Sequence, residues 1–130
     1  MNFDISRKKI NIFKIGKQYC FKEYFSDKEI FKELSEYYNT KKYRFECDTT
    51  SERNKIIKYL WNTGFDTNLI EELSEYSVKI DRFKKYAEIL KNSIEQTEIG
   101  SDRIFLLKDR FSVEQTIEQG AEKYSDLWVE

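Results

Sequence analysis

A chain of 130 residues is the size of one domain and long enough to bury a core of its own. Hydrophobic residues are 39% against 36% charged, yet ten Phe, nine Tyr and two Trp make the apolar share bulky; with a net charge of −1, this excludes a disordered polyelectrolyte. The lack of histidine excludes Ser-His and Cys-His nucleophile pairs and the commonest metal ligand, and the lack of proline leaves turns to Gly, Asn, Asp and Ser.

The first elements lie in "KINIFKIGKQYCFKEYF", residues 9–25. Ile10–Ile15 and Gln18–Phe25 read as strands around Gly16-Lys17, and glycine first in a two-residue turn predicts a type II′ hairpin. With Ile15 opposite Gln18, Ile12 faces Phe21 and Lys14 faces Tyr19, while Phe13 meets Cys20 on the other side. Apolar groups on both faces predict partial cover on each.

Ser26 and Glu29 have capping-box spacing, and Ile30, Phe31, Leu34 and Tyr37 or Tyr38 form a helical stripe ending at Asn39-Thr40. Tyr43, Phe45 and Cys47 then alternate with Arg44, Glu46 and Asp48, as in a half-buried strand. Thr49 and Glu52 offer a second capping box for a helix bearing Ile56, Ile57 and Leu60, stopped by a left-handed Gly64 with Phe65 folding back on Leu60. Residues 67–73 fit a helix through Leu69, Leu73 and Tyr76 or an edge strand through Leu69, Glu71 and Leu73; the strand is preferred because a capped helix has just ended, with Tyr76, Val78 and Ile80 as its hairpin partner. A third helix carries Phe83, Tyr86, Ala87, Leu90 and Ile94, and Gly100-Ser101-Asp102 breaks it. Ile104–Leu107 is apolar on both faces and reads as a well-covered strand. Ser112 and Gln115 cap a last helix with Val113, Ile117, Ala121 and Tyr124, and Leu127, Trp128 and Val129 form an apolar tail.

This order predicts a single α+β domain. Residues 42–109 follow the ferredoxin-like split βαβ order, βαββαβ, and residues 1–41 form a hairpin-helix extension packed on a core and C-terminal helix at 42–130. The match is one of element order, not of residues. "IDRF" at 80–83 and "KDRF" at 108–111 both mark a strand handing over to a helix.

The chemistry is sparse. Four glycines, at 16, 64, 100 and 120, make neither GxGxxG nor a phosphate-cradling P-loop, and there is no GxSxG or CxxC. Cys20 and Cys47 read as buried free thiols of a reducing compartment. Asp48, Asp81 and Asp109 each end an expected strand; the ferredoxin-like order puts Asp81 and Asp109 on one edge with Arg82 and Arg110 beside them. That quartet can hold a divalent cation or a phosphorylated ligand, but aspartate before a helix is first a cap.

Charge is uneven: residues 1–25 sum to +4 and the remainder to −5. Lys8, Lys9, Lys14, Lys17 and Lys22 around Tyr19 are the candidate contacts for single-stranded nucleic acid. The plain reading is a hairpin whose Ile10, Ile12 and Phe21 are core and whose lysines guard an edge. No leader is read at the N-terminus and no apolar run approaches the ~20 residues of a membrane span, so a cytoplasmic protein without membrane association is expected. The leading functional expectation is a non-catalytic module without cofactor, self-associating or docking a protein partner. The alternative is RNA or single-stranded nucleic-acid binding through the basic hairpin.

Overall fold

The computed structural model describes residues 7–125, a mixed α+β architecture with two sheets and four α-helices. The apolar tail expected at 127–129 lies outside the described residues. The first sheet holds β1 (Lys8–Ile15), β2 (Gln18–Phe21), β3 (Tyr38–Asn39), β4 (Arg44–Cys47) and β5 (Phe65–Ile70), in the order β3-β4-β2-β1-β5. The second holds β6 (Ser77–Asp81), β7 (Ser93–Ile99), β8 (Asp102–Leu107) and β9 (Glu122–Lys123), in the order β7-β8-β6-β9.

The opening hairpin forms as its pattern requires. Ile15 pairs with Gln18, Lys14 with Tyr19 and Phe13 with Cys20. Of the two turn residues only Gly16 has positive φ (+61°), which is the II′ signature. Alternation then sorts the side chains. Ile10, Ile12, Tyr19 and Phe21 pack with Phe45 and Cys47 beneath α1 (Lys28–Leu34) and α2 (Thr50–Asn62). Phe13 and Cys20 point the opposite way, onto Tyr76 and onto Ile94 and Leu106 of the second sheet. That sheet's far face, with Val78, Ile80, Phe105 and Leu107, is covered by Ile89 of α3 (Ala87–Leu90) and Val113 of α4 (Arg110–Glu118). The result is four layers: helices, sheet, sheet, helices. Ile104–Leu107 is buried throughout because β8 is covered on both faces.

Several expectations are corrected. The ferredoxin-like unit over 42–109 does not form as one sheet. Its strands divide between the two sheets, and the hairpin expected as an extension is the centre of the first. β5 is a strand, but its neighbour is β1, in parallel from Lys8↔Phe65 to Phe13↔Ile70, and Ser77–Asp81 pairs in the other sheet. The long third helix shrinks to Ala87–Leu90, because Ser93–Ile99 is a strand paired with β8. Asp27, not Ser26, caps α1, accepting from Glu29 N at 2.9 Å. Asp109, not Ser112, caps α4, accepting from Ser112 N at 2.8 Å. Thr49 caps α2 as expected, through the Glu52 N–H at 3.1 Å.

The two sheets share a plan. β2-α1-β3-β4-α2-β5 and β6-α3-β7-β8-α4-β9 have the same element order, and their strands take corresponding places, with β1 inserted in the first sheet. Phe45 and Phe105 hold matching positions under the helices. Thr49 and Asp109 cap two residues after their strands end, and Gly64 and Gly120 end the following helices at φ +106° and +108°. The strands after which the Asp-Arg-Phe repeats occur, β6 and β8, each lead to a helix and an outer strand of the second sheet.

Candidate ligand cleft

Asp81 ends β6 opposite Asp102, whereas Asp109 lies beyond Leu107, past the other end of the same antiparallel ladder. The two carboxylates therefore sit at opposite ends of the sheet, and the quartet with Arg82 and Arg110 does not assemble. Asp81 accepts from Phe83 N at 2.9 Å in a turn that opens no helix. Arg82 lies over the Phe83 ring, and Arg110 bonds Glu75 at 2.6 Å. Asp48 accepts from Gln18 Nε2 at 3.1 Å.

The hairpin lysines do not share a surface either. Lys8 and Lys9 sit at one end of β1 and Lys14 at the other, roughly 17 Å apart along the strand, with Lys17 in the turn. Lys8 is paired to Glu23 at 2.7 Å. Tyr19 is buried in the core beneath the Arg53 guanidinium, so it offers no face for a base. Both thiols are shielded: burial pushes Cys20 up to about 12, against the lowering influence of Arg44, and Cys47 up to about 11. Among the described residues no group of three or more acidic or Cys side chains is placed to hold a metal ion. No helix there is long and apolar enough to cross a membrane.

One feature stands apart from these. A cleft of about 1070 Å³ opens between the halves of the chain. One wall is the end of β2, α1 and the β3–β4 loop; the other is α3, β7 and the end of β8. Six lysines line it (Lys22, Lys28, Lys41, Lys42, Lys91 and Lys108) against two glutamates, Glu23 and Glu95. Both glutamates are already paired, Glu23 to Lys8 and Glu95 to Lys42 and Arg44. Lys42 is thereby paired, and Lys91 is paired to Glu88, which leaves Lys22, Lys28, Lys41 and Lys108 without a carboxylate partner among the described residues and the cleft cationic in a chain of net charge −1.

Its lining also gathers rings. Tyr24 is 87% exposed and Tyr43 64%, with Phe31 and Leu90 also open to solvent. Phe31 and Tyr38 stack edge-on against Phe45, so the ring wall is anchored in the core. Tyr43 is held at φ +55°, and it is the sole non-glycine residue at positive φ among those described. A left-handed tyrosine costs about 1–2 kcal/mol that glycine would avoid. The turn that holds it closes through Tyr43 N to Asn39 O at 2.8 Å, and the Asn39 side chain caps Lys41 N and Lys42 N.

Behind the lysines lies a cross-sheet ion cluster. Arg44 is buried at 1% exposure, although alternation placed it on a solvent face. It donates to Glu46 at 2.9 Å, to Glu95 at 3.1 Å and to the Ile94 carbonyl at 2.9 Å. For both glutamates burial alone would raise the pKa. The bonds from Arg44 and Asn39 to Glu46, and from Gln96 N and Lys42 to Glu95, overcome this and hold both below the ordinary range. Lys42, bonded to Glu95 at 3.1 Å, is thereby presented on the cleft wall.

Sequence reading missed this site, apart from Lys22. Its one local signal is "TKKYR" at 40–44, a basic-aromatic loop that alternation absorbed into the following strand. No family model, no curated protein and no solved structure matches the chain.

Proposed function

We propose that the protein is a non-catalytic binding module that takes single-stranded nucleic acid in the cleft. The observation that carries this is the coincidence, on one concave surface, of exposed rings with Lys22, Lys28, Lys41 and Lys108, which have no carboxylate partner among the described residues. Stacking on rings is tolerant of sequence, and lysine meets each phosphate as a point charge. The volume lies at the upper limit for small-molecule pockets, which suits a short stretch of polymer. The strained Tyr43 supports the reading, since backbone strain gathers where a side chain has a task. This keeps the nucleic-acid class raised by the sequence but moves the contacts from the hairpin to the cleft.

The expectation of a protein partner or homo-oligomer has Phe83 (81% exposed) and Phe111 (71%) in its favour. They follow β6 and β8 at opposite ends of the second sheet, whereas the cleft rings converge.

Fluorescence anisotropy of labelled oligouridylate and oligothymidylate tests the proposal. Contact with three or four phosphates gives a slope of about −2 to −3 in log K against log salt. Lys28→Glu with Lys41→Glu, at two exposed positions, should weaken binding at least tenfold while leaving the melting temperature in place. Absence of binding at low salt, together with a stable dimer in solution, would replace this reading with self-association.

A further inference from the structure

Lys22 and Lys108 line the cleft from the ends of strands in different sheets. Lys22 follows β2, and its Nζ donates to the Ser93 carbonyl at 3.0 Å and the Leu90 carbonyl at 3.4 Å. Lys108 follows β8. Its N–H donates to the Asn92 carbonyl at 2.9 Å, and its own carbonyl accepts from Asn11 Nδ2 at 3.0 Å. The single segment Leu90–Ser93 therefore positions both residues.

Their setting differs from that of the other four cleft lysines, which are exposed. Lys22 and Lys108 are partly buried, and neither is paired to a carboxylate among the described residues. Burial and then the charge of Lys108 both pull the Lys22 pKa down. Both residues thus border the cleft beside the one segment Leu90–Ser93, with carbonyl dipoles on the Lys22 ammonium and no carboxylate paired to either among the described residues.

We propose that Lys22 and Lys108 form a seat for a phosphate monoester, the terminal phosphate of the strand that occupies the cleft. The inference rests on the nucleic-acid reading of the cleft and adds the end-group to it. An internal phosphodiester carries one charge, whereas a monoester carries about −1.5 to −2 at neutral pH, which matches two cations. Exposed and unpaired, Lys28 and Lys41 remain for internal phosphates, beside Lys42 and Lys91, which pair with Glu95 and Glu88.

The same chemistry is offered by a strand end and by a free mononucleotide, so the probes separate them. Labelled oligothymidylate is measured with a 5′-phosphate, with a 3′-phosphate and with neither, beside thymidine monophosphate as competitor. A phosphate at one end should tighten binding about tenfold. Lys108→Gln and Lys22→Gln should each erase that gain while still binding the unphosphorylated strand, and Lys58→Gln, on α2 outside the cleft, should keep it. Lys108 is fixed through its backbone, so Lys108→Gln stays informative if Lys22→Gln proves unstable. Equal affinity for all three strands overturns the seat and leaves the cleft reading standing. Binding of the monophosphate with no binding of any strand supports the seat and overturns the strand reading. No binding by any probe overturns both.

Discussion

Arg44 of the first sheet and Glu95 of the second meet at 3.1 Å, and the same guanidinium closes on the Ile94 carbonyl and Glu46. A buried arginine here joins the two sheets at the edge of the cleft. Removing it strands two partly buried carboxylates, so Arg44→Met should cost about 3 kcal/mol in urea unfolding. Arg44→Met with Glu95→Gln should recover part of that loss. A loss below ~1 kcal/mol for the single variant would deny the cluster its structural role.

The same cluster sets a pH dependence. Glu46 and Glu95 are held below their ordinary range in the folded protein. A depressed carboxylate pKa contributes stability that is fully present above the unfolded value and is lost as pH falls through the folded one. The urea midpoint should therefore hold from about pH 7 to about pH 5.5 and drop as the pH falls further, through the ordinary glutamate range, and the drop should shrink in Arg44→Met. An unchanged drop in that variant would place the acid sensitivity elsewhere.

Tyr43 separates stability from binding. Tyr43→Gly relieves a left-handed tyrosine, so the melting temperature should hold or rise, with a gain of up to ~1 kcal/mol after the entropic cost of glycine. Oligonucleotide affinity should fall several-fold, as it should in Tyr43→Ala, which keeps the strain and loses the ring. Full affinity in both variants would remove Tyr43 from the site.

Gly64 and Gly120 serve corresponding helix ends. A Cβ on Gly64 would meet nothing within 4 Å, and one on Gly120 only the flexible end of Lys84. The cost of Gly64→Ala and Gly120→Ala is thus backbone strain alone, about 1 kcal/mol each and nearly equal. A difference of more than ~1 kcal/mol between them would contradict the shared plan.

Caps divide in the same manner. Thr49→Ala and Asp109→Ala should each cost about 1 kcal/mol, since each accepts from a free N–H at a helix start. Asp81→Ala should cost less, because its bond to Phe83 N supports a turn and no helix. Equal losses at Asp81 and Asp109 in thermal unfolding would contradict this.

Strong local patterns carried the hairpin register, the Thr49 cap, Gly64 and the covered strand β8. Each is decided by neighbours in sequence. The stripe Phe83, Tyr86, Ala87, Leu90, Ile94 fits a helix just as well, but pairing with β8 wins Ser93–Ile99 for the sheet, a tertiary preference that local periodicity does not contain. Ile94, Thr97 and Ile99 are β-branched and precede a glycine turn, which was the cue. Arg44 was misplaced because alternation assumes one wet face, and the first sheet has a second sheet on that side. The cleft draws on residues 22–45 and 87–108, and each of its lysines alone looks like ordinary surface charge. Its meaning comes from the topology that brings the two segments together.

The most direct test of the cleft is an amide-resolved NMR titration of the labelled protein with short oligothymidylate. Shifts should concentrate at Lys22–Phe25, Lys28–Phe31, Lys41–Phe45, Leu90–Gln96 and Lys108, and should fade as salt is raised from about 50 mM to about 200 mM. Shifts confined to Lys14 and Lys17, or to the Asp81–Phe83 and Asp109–Phe111 turns, would contradict the account, as would a spectrum that does not change.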